Sequence, residues 1–233
     1  MIEICTMMTP DLYIYQMFTT RRNKVFLVLA GIFITNAITA ELIGGKLIDV
    51  GPYVMSVGIL PWPIVFLTTD LVNEYYGKDQ VKRLSVMTAA LIAYCFLLLL
   101  MSIGIPASTQ ASGITDSQFN AVFGQSLWII VGSIAAFLVS QLIDAVIFQY
   151  VKRRTGQKWI WLRSTGSTVI SQFFDSFIVL GIAFYLTGKM DFDMYVASGL
   201  TGYGVKLAIA VALTPLIYIG HGIIDKYLEK DGK

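Results

Sequence analysis

The chain has 233 residues, of which 56% are hydrophobic and only 14% are charged. Soluble domains carry about 25% charged residues, so the composition excludes an ordinary soluble protein. The net charge of +2 is no argument for nucleic-acid binding.

Six apolar segments reach the roughly 20 residues that cross the hydrocarbon core of a bilayer. They cover about residues 25–44, 55–76, 84–105, 126–151, 165–187 and 195–220. Together with a short N-terminal segment of about residues 1–24, they leave no room for a globular domain. The sequence therefore predicts an all-α fold: one integral membrane domain over residues 1–233 with six transmembrane helices.

Basic residues concentrate in the loops on one side of these spans. Fourteen of the 17 Lys and Arg residues fall there, Arg163 among them, whereas the other side carries only Lys46 and Lys189. Because basic loops stay in the cytoplasm, this asymmetry predicts a multi-pass protein of the cell inner membrane with both termini cytoplasmic.

Two spans contain residues that interrupt helices. In the second span, Gly58, Pro61 and Pro63 predict a kink or break, because each proline removes a backbone donor. In the sixth span, the small residues of segment 198–204 fit either a second break or close helix packing.

Three polar residues of the second span, Asp70, Asn73 and Glu74, are spaced i, i+3 and i+4 and therefore share one helical face. Ionisable groups on a membrane helix are costly, and they are kept where they line a cavity, pair, or carry a proton or substrate. This face is thus a candidate functional surface.

A short repeat, SQ-x-x-D-[AS]-x-I, occupies residues 140–147 and 171–178. Its copies lie on consecutive spans that cross the membrane in opposite directions, which resembles the inverted symmetry of transporter sites. Chance duplication is the competing explanation for so short a match.

Ten polar side chains lie within or at the ends of the spans, and they include five carboxylates but one lysine. Because an unpaired buried charge costs several kcal/mol, either some carboxylates are protonated or the region holds water and a ligand. Their spread through the membrane predicts a path. They are Asn36, Glu41, Asp70, Asn73, Glu74, Gln141, Asp144, Gln172, Asp175 and Lys206.

Structural interpretations stay open beside the functional ones. Asp175 and Lys206 form either a structural ion pair between the fifth and sixth helices or part of a binding site. The two glutamines fit interhelical hydrogen bonds. The Asp70 face fits a cytoplasmic gate, a proton-release site or a static helix cap, with basic partners among Lys78, Lys82 and Arg83.

No sequence motif indicates an enzyme. The chain has no phosphate-binding P-loop and a single histidine, and no Ser–His–acid set can be placed. We expect no cofactor and no metal centre.

The stretch DLVNEYYGK, residues 70–78, resembles the signature of the queuosine-precursor transporter family, also called vitamin-uptake transporters. The resemblance extends to the six spans, to Asn36 and Glu41, to the two Gln–Asp pairs and to Lys206. It implies import of 7-cyano- and 7-aminomethyl-7-deazaguanine (preQ0 and preQ1) for tRNA modification. It also implies a fold akin to the substrate-binding subunits of energy-coupling-factor vitamin transporters.

The polar residues suit such a ligand. Glu41 or Asp175 would accept from the ring N–H and amine of a guanine-like base. The base carbonyl needs a donor, for which the candidates are Asn36, Gln141, Gln172 and Lys206. An aromatic platform for the flat base has the candidates Trp62, Phe173, Phe174 and Tyr203. Gating or proton coupling falls to Asp70, Asn73, Glu74 and Asp144.

The leading prediction is a self-sufficient importer whose partners are the base and the lipid bilayer, not nucleic acid; the glycine-rich sixth span permits a homodimer. The alternative is a substrate-binding subunit that needs an ATPase. Such subunits commonly dock through an A-x-x-x-A face on the first helix, whereas here the first span has no such face and a match lies at Ala89–Ala93 on the third. An intramembrane lipid enzyme is a third class, without a supporting motif.

Overall fold

The computed structural model describes residues 20–50, 53–110, 113–124, 127–156 and 158–229. Five helical segments, containing α1, α3, α5, α6 and α7, are long and apolar enough to span a membrane. The predicted all-α, polytopic membrane architecture is thus confirmed, with one short β-hairpin added. The elements are α1 (Arg21–Ile43), β1 (Leu47–Val50), β2 (Tyr53–Ser56), α2 (Trp62–Tyr76), α3 (Lys78–Ile103), α4 (Asp116–Phe123), α5 (Leu127–Thr155), α6 (Ile160–Leu180) and α7 (Phe192–Leu228).

The second predicted span, residues 55–76, is wrong as a single helix. Strand β2 runs into a 3-10 turn, Val57–Ile59, and α2 begins only at Trp62. The predicted break at the prolines is therefore present, with Pro63 in the first turn of α2, where its missing N–H leaves no helical bond unmade. At 15 residues, α2 is roughly 22 Å long, shorter than the hydrocarbon core of about 30 Å.

A single residue, Gly77, connects α2 to α3. Its φ of 83° lies in the left-handed region that glycine adopts without steric cost. This conformation lets α3 begin at Lys78, directly after α2 ends at Tyr76. The basic residues near the start of α3, Lys78, Lys82 and Arg83, are thus exposed instead of packed against the polar face of α2.

The last helix runs without interruption through the segment where a second break was one of two interpretations. A Cβ atom at Gly199 would lie 2.7 Å from the ring of Phe177 on α6. The glycine is needed for close helix packing, which is the other interpretation. Helix α7 also continues through Pro215.

Two further boundaries differ from the sequence-based ones. Helix α6 begins at Ile160, so Arg163, assigned above to a loop, lies inside a helix. At its other end α6 widens into a π-helical turn, Gly181–Tyr185. The predicted N-terminal segment lies outside the described residues as far as residue 19.

The antiparallel pair α5–α6 forms the centre of the bundle: α7 packs against α6, α3 packs against α5, and α2 contacts α1, α3, α5 and α7. Phe33, Val65, Phe137 and Phe148 are fully buried in its interior. Large apolar side chains such as Leu97 and Met101 on α3 are exposed, as expected for a surface that contacts lipid.

Candidate functional site

The two copies of the sequence repeat contact each other across the α5–α6 interface. Ser140 of the first copy donates to Asp175 of the second at 3.3 Å. In return, Ser171 of the second copy donates to Asp144 of the first at 3.2 Å. The exchange is reciprocal, so the repeat places two equivalent serine–aspartate pairs at different depths of one helix pair.

Around Asp175 lies a group that we call the lysine cluster: Glu41, Ser133, Ser140, Asp175 and Lys206. The Lys206 ammonium forms an ion pair with the Asp175 carboxylate. The lysine side chain retains 22% of its exposure, and that of Asp175 retains 13%. The pair is therefore largely shielded but not completely buried.

Glu41, at the end of α1, belongs to the same cluster. Both of its carboxylate oxygens accept from the Ser133 hydroxyl, at 2.6 and 2.7 Å. The residue is buried, and the charges of Asp175 and Lys206 act on it. Three helices besides α5 thus bring charged groups to this point.

Around Asp144 lies a second group, the arginine cluster: Asp70, Glu74, Asp144, Lys152 and Arg163. Glu74 is held between Lys152 at 3.1 Å and Arg163 at 2.8 Å. Arg163 is fully buried and also donates to the carbonyl of Gly156 at 2.8 Å.

The expected basic partners of this face, Lys78, Lys82 and Arg83, are wrong, because all three are exposed on α3. The helix-cap interpretation is also wrong. The caps of α2 are Pro61 and Gly77, and neither Asp70 nor Glu74 occupies a cap position.

The two remaining carboxylates of the arginine cluster contact hydroxyl groups. Asp70 accepts from Ser164, and Asp144 accepts from Thr168 at 3.4 Å and from Ser171. Among the described residues, neither aspartate has a basic side chain within ion-pair distance. Each lies in the field of the other, since the charge of Asp144 acts on Asp70.

Three amide side chains, one on α2 and two on α5, fix these helices against each other. The Asn73 amide donates to the carbonyl of Ala145 at 3.2 Å, and its side-chain oxygen accepts from Gln149 at 2.7 Å. Gln141 accepts from the Thr69 hydroxyl at 3.1 Å. Asn73 and Gln141 therefore make the interhelical hydrogen bonds that amides in membrane helices commonly make.

Other candidate residues lie outside these contacts. Asn36 donates to Ile32 of its own helix at 2.8 Å. Phe173 is 41% exposed and meets the ring of Tyr203 edge-on at 5.7 Å. Gln172 is buried, and the ring of Phe174 is exposed. The ring of Trp62 packs on those of Phe66 and Phe137.

Several residues of the two clusters were not selected from the sequence. Lys152 and Arg163 were counted as loop residues, and the hydroxyl groups that contact the carboxylates were overlooked. A signal was present, because α6 carries hydroxyls at helical spacing along one buried face: Ser164, Ser167, Thr168 and Ser171.

A bundle of apolar helices that encloses two groups of charged side chains defines a class of protein, the multi-pass membrane transporter, because such groups line ion and substrate pathways. The comparison with known families agrees. The chain belongs to the family described as "Putative vitamin uptake transporter", whose model matches residues 56–220. It is a transporter family, as predicted, and not one of enzymes.

Two relatives share the description "Probable queuosine precursor transporter". The protein from Bacillus subtilis (strain 168) is 26% identical over 181 residues, which is 77% of each chain. The protein from Haemophilus influenzae is 28% identical over 159 residues, which is 67% of this chain and 63% of the relative. No solved structure matches the chain significantly.

Proposed function

We propose that this protein imports a queuosine precursor, preQ0 or preQ1, and that the base binds at the lysine cluster. The names of the two relatives support the substrate. The observation that carries the site is the shielded pair of Asp175 and Lys206, which sets a strong acceptor beside a strong donor.

The edge of a deazaguanine presents the complementary pattern, N–H donors beside a carbonyl acceptor. A bound base would replace the ion pair, its N–H groups donating to Asp175 and its carbonyl accepting from Lys206. Glu41 would accept from the exocyclic amine. Asp175 and Lys206 would each exchange their mutual contact for a hydrogen bond to the base, so that no buried polar group is left unsatisfied.

The other candidates complete this site. Tyr203 lies one helical turn before Lys206 on α7 and contacts Phe173, so these rings form the aromatic platform. Gln141 and Gln172 supply amides from the two repeat copies. Asn36, bonded to its own helix, would have to change partner.

Transport further requires a gate, and we assign it to the arginine cluster. Glu74 joins α2 to both α5 and α6 through its two basic partners. Opening this end of the bundle would separate those charges, and closing it would restore them.

The sharpest test is uptake by the purified chain alone in liposomes, measured with labelled preQ0 and preQ1 in the absence of ATP. Accumulation would support a self-sufficient secondary transporter. Binding without uptake would instead favour the substrate-binding subunit of an ATP-driven importer. The structure gives that alternative little docking surface on α3, because Ala89 is buried while Ala93 is exposed.

We also propose that both termini face the cytoplasm. Lys158 is exposed at the α5–α6 turn, on the same side of the bundle as the start of α1. On a cysteine-free background, a Lys158→Cys variant should resist an impermeant thiol reagent in intact cells and react after permeabilisation. Labelling in intact cells would show instead that this turn, and with it both termini, faces the outside of the membrane.

A further inference from the structure

A small cavity of about 20 Å³ lies between α2, α6 and α7, next to the arginine cluster. This volume has room for roughly one water molecule. Its polar wall consists of one carboxylate and four hydroxyl-bearing side chains, and none of its lining residues is basic: Asp70, Ser164, Thr165, Thr168 and Thr214.

The carboxylate in that wall is incompletely bonded. Asp70 is only 3% exposed, and its Oδ2 atom accepts from Ser164. Its Oδ1 atom has no hydrogen-bond partner within the described ranges. A buried oxygen left in this condition carries its full desolvation penalty, and a molecule or ion that contacts Oδ1 from the cavity lined by Asp70 would relieve it.

Charge favours an ion. The arginine cluster contains three carboxylates and two basic side chains, and both basic groups contact Glu74. Asp70 and Asp144 have only hydroxyl contacts among the described residues. With all three carboxylates ionised, this buried region lacks one positive charge, and either a proton on a carboxylate or a bound cation would supply it, since uncompensated buried charge is expensive.

We propose that this cavity is a binding site for a sodium ion. A hard cation prefers oxygen ligands, and carboxylate and hydroxyl oxygens are the polar groups present. Na⁺ is smaller than both K⁺ and a water molecule, so it fits a cavity with room for one water. A water molecule would fill the same space without supplying the missing charge.

The site connects three helices. Asp70 belongs to α2, Ser164, Thr165 and Thr168 belong to α6, and Thr214 on α7 hydrogen-bonds to Thr165 at 3.1 Å. An ion in the cavity would hold α2 against the α6–α7 pair, and its release would free them. A role for the sodium ion in driving uptake rests on the proposed transport function, whereas the binding of sodium does not.

The test measures binding without substrate. The purified protein in detergent is unfolded thermally in NaCl, KCl or choline chloride at equal ionic strength. Sodium at about ten times its Kd should raise Tm by roughly 3–6 °C over choline, and potassium by less, because mass action stabilises the bound state. A Tm that is the same in NaCl and choline chloride, or in NaCl and KCl, would overturn the sodium site.

Variants locate the effect. Asp70→Asn should remove the increase in Tm that sodium causes. Thr214→Val should weaken this increase, and it tests the site even where Asp70→Asn does not fold. Ser85→Ala, which deletes a buried hydroxyl on α3 away from the cavity, should keep the shift in full. A shift that survives in both cavity variants would contradict this location. Since no base is present, failure here is distinct from failure of the transport proposal.

Discussion

The two ends of the repeat make the most instructive comparison in the molecule. At one end Ser140 bonds to Asp175, and at the other Ser171 bonds to Asp144, with nearly the same distance. What lies next to each aspartate differs. Asp175 pairs with a lysine of α7, whereas Asp144 is beside a second aspartate of α2.

The same local motif thus occurs in two environments, and the charge of each environment is set by the helix that packs against the α5–α6 pair at that point. A neighbouring lysine turns one copy into a donor–acceptor pair suited to a neutral polar ligand. A neighbouring carboxylate turns the other into an anionic site suited to a cation. Under the two proposals above, the Asp175 end of the repeat would bind the substrate and the Asp144 end would bind the coupling ion.

The largest effect should come from removing the buried arginine. Arg163→Met leaves Glu74 with a single basic partner and should cost about 3–5 kcal/mol of unfolding free energy, the typical cost of breaking a buried pair. Thermal unfolding in detergent measures it. Arg153→Met, at an exposed position nearby, is the control and should change stability by less than about 0.5 kcal/mol. Equal stabilities would show that the arginine cluster is not a structural junction.

At the lysine cluster we expect loss of binding with folding retained. Asp175→Ala should lower uptake at least about tenfold, because a charged hydrogen bond to a buried ligand is worth more than about 1.4 kcal/mol. Gln172→Ala should lower uptake as well, because it removes a neutral amide from the proposed site next to this cluster. Ser176→Ala, which truncates a buried neighbour on α6, should transport normally. Normal uptake by both site variants would make the repeat structural.

At the arginine cluster we expect the opposite division of effects. Glu74→Gln should lose most transport yet still bind the base measurably, because it weakens the proposed gate and leaves the lysine cluster intact. Equilibrium binding and uptake are compared on the same preparation. Asp175→Ala provides the contrast, since it should lose both. A Glu74→Gln variant that fails to bind the base would show that the two clusters belong to one binding site.

The smallest effect should be the loss of either serine hydroxyl. Ser140→Ala and Ser171→Ala should each cost about 1 kcal/mol or less, the net value of one hydrogen bond, and the two costs should be similar. Denaturant unfolding measures both. A large difference between them would show that the two ends of the repeat are not equivalent.

Much of the polar interior could be predicted from sequence, because the relevant patterns are local. The i, i+3, i+4 spacing of Asp70, Asn73 and Glu74 predicted a shared face, and that face contacts α5 and α6. The repeat predicted a related pair of sites on antiparallel helices, which the reciprocal hydrogen bonds now give a physical form.

Partner identity could not be predicted in this way. Lys78 follows Glu74 closely along the chain, but Gly77 turns α3 away, and the partners come instead from residues 152 and 163. Counting charges treats any arginine near a helix end as a loop residue, so Arg163 was misplaced. Glycine and proline indicated a break before α2, but the hairpin depends on strand pairing that no single segment encodes.

The junction before α2 has a mechanical consequence. A Cβ atom at Gly58 would lie 2.7 Å from the carbonyl oxygen of Ala40 on α1, and one at Gly44 would lie 2.9 Å from the same atom. Ser56 adds a hydrogen bond of 2.7 Å to the Gly44 carbonyl. The end of α1 and the turn before α2 are therefore packed too closely to move independently, so a rigid-body shift of α2, which carries Asp70, would displace the end of α1, which carries Glu41.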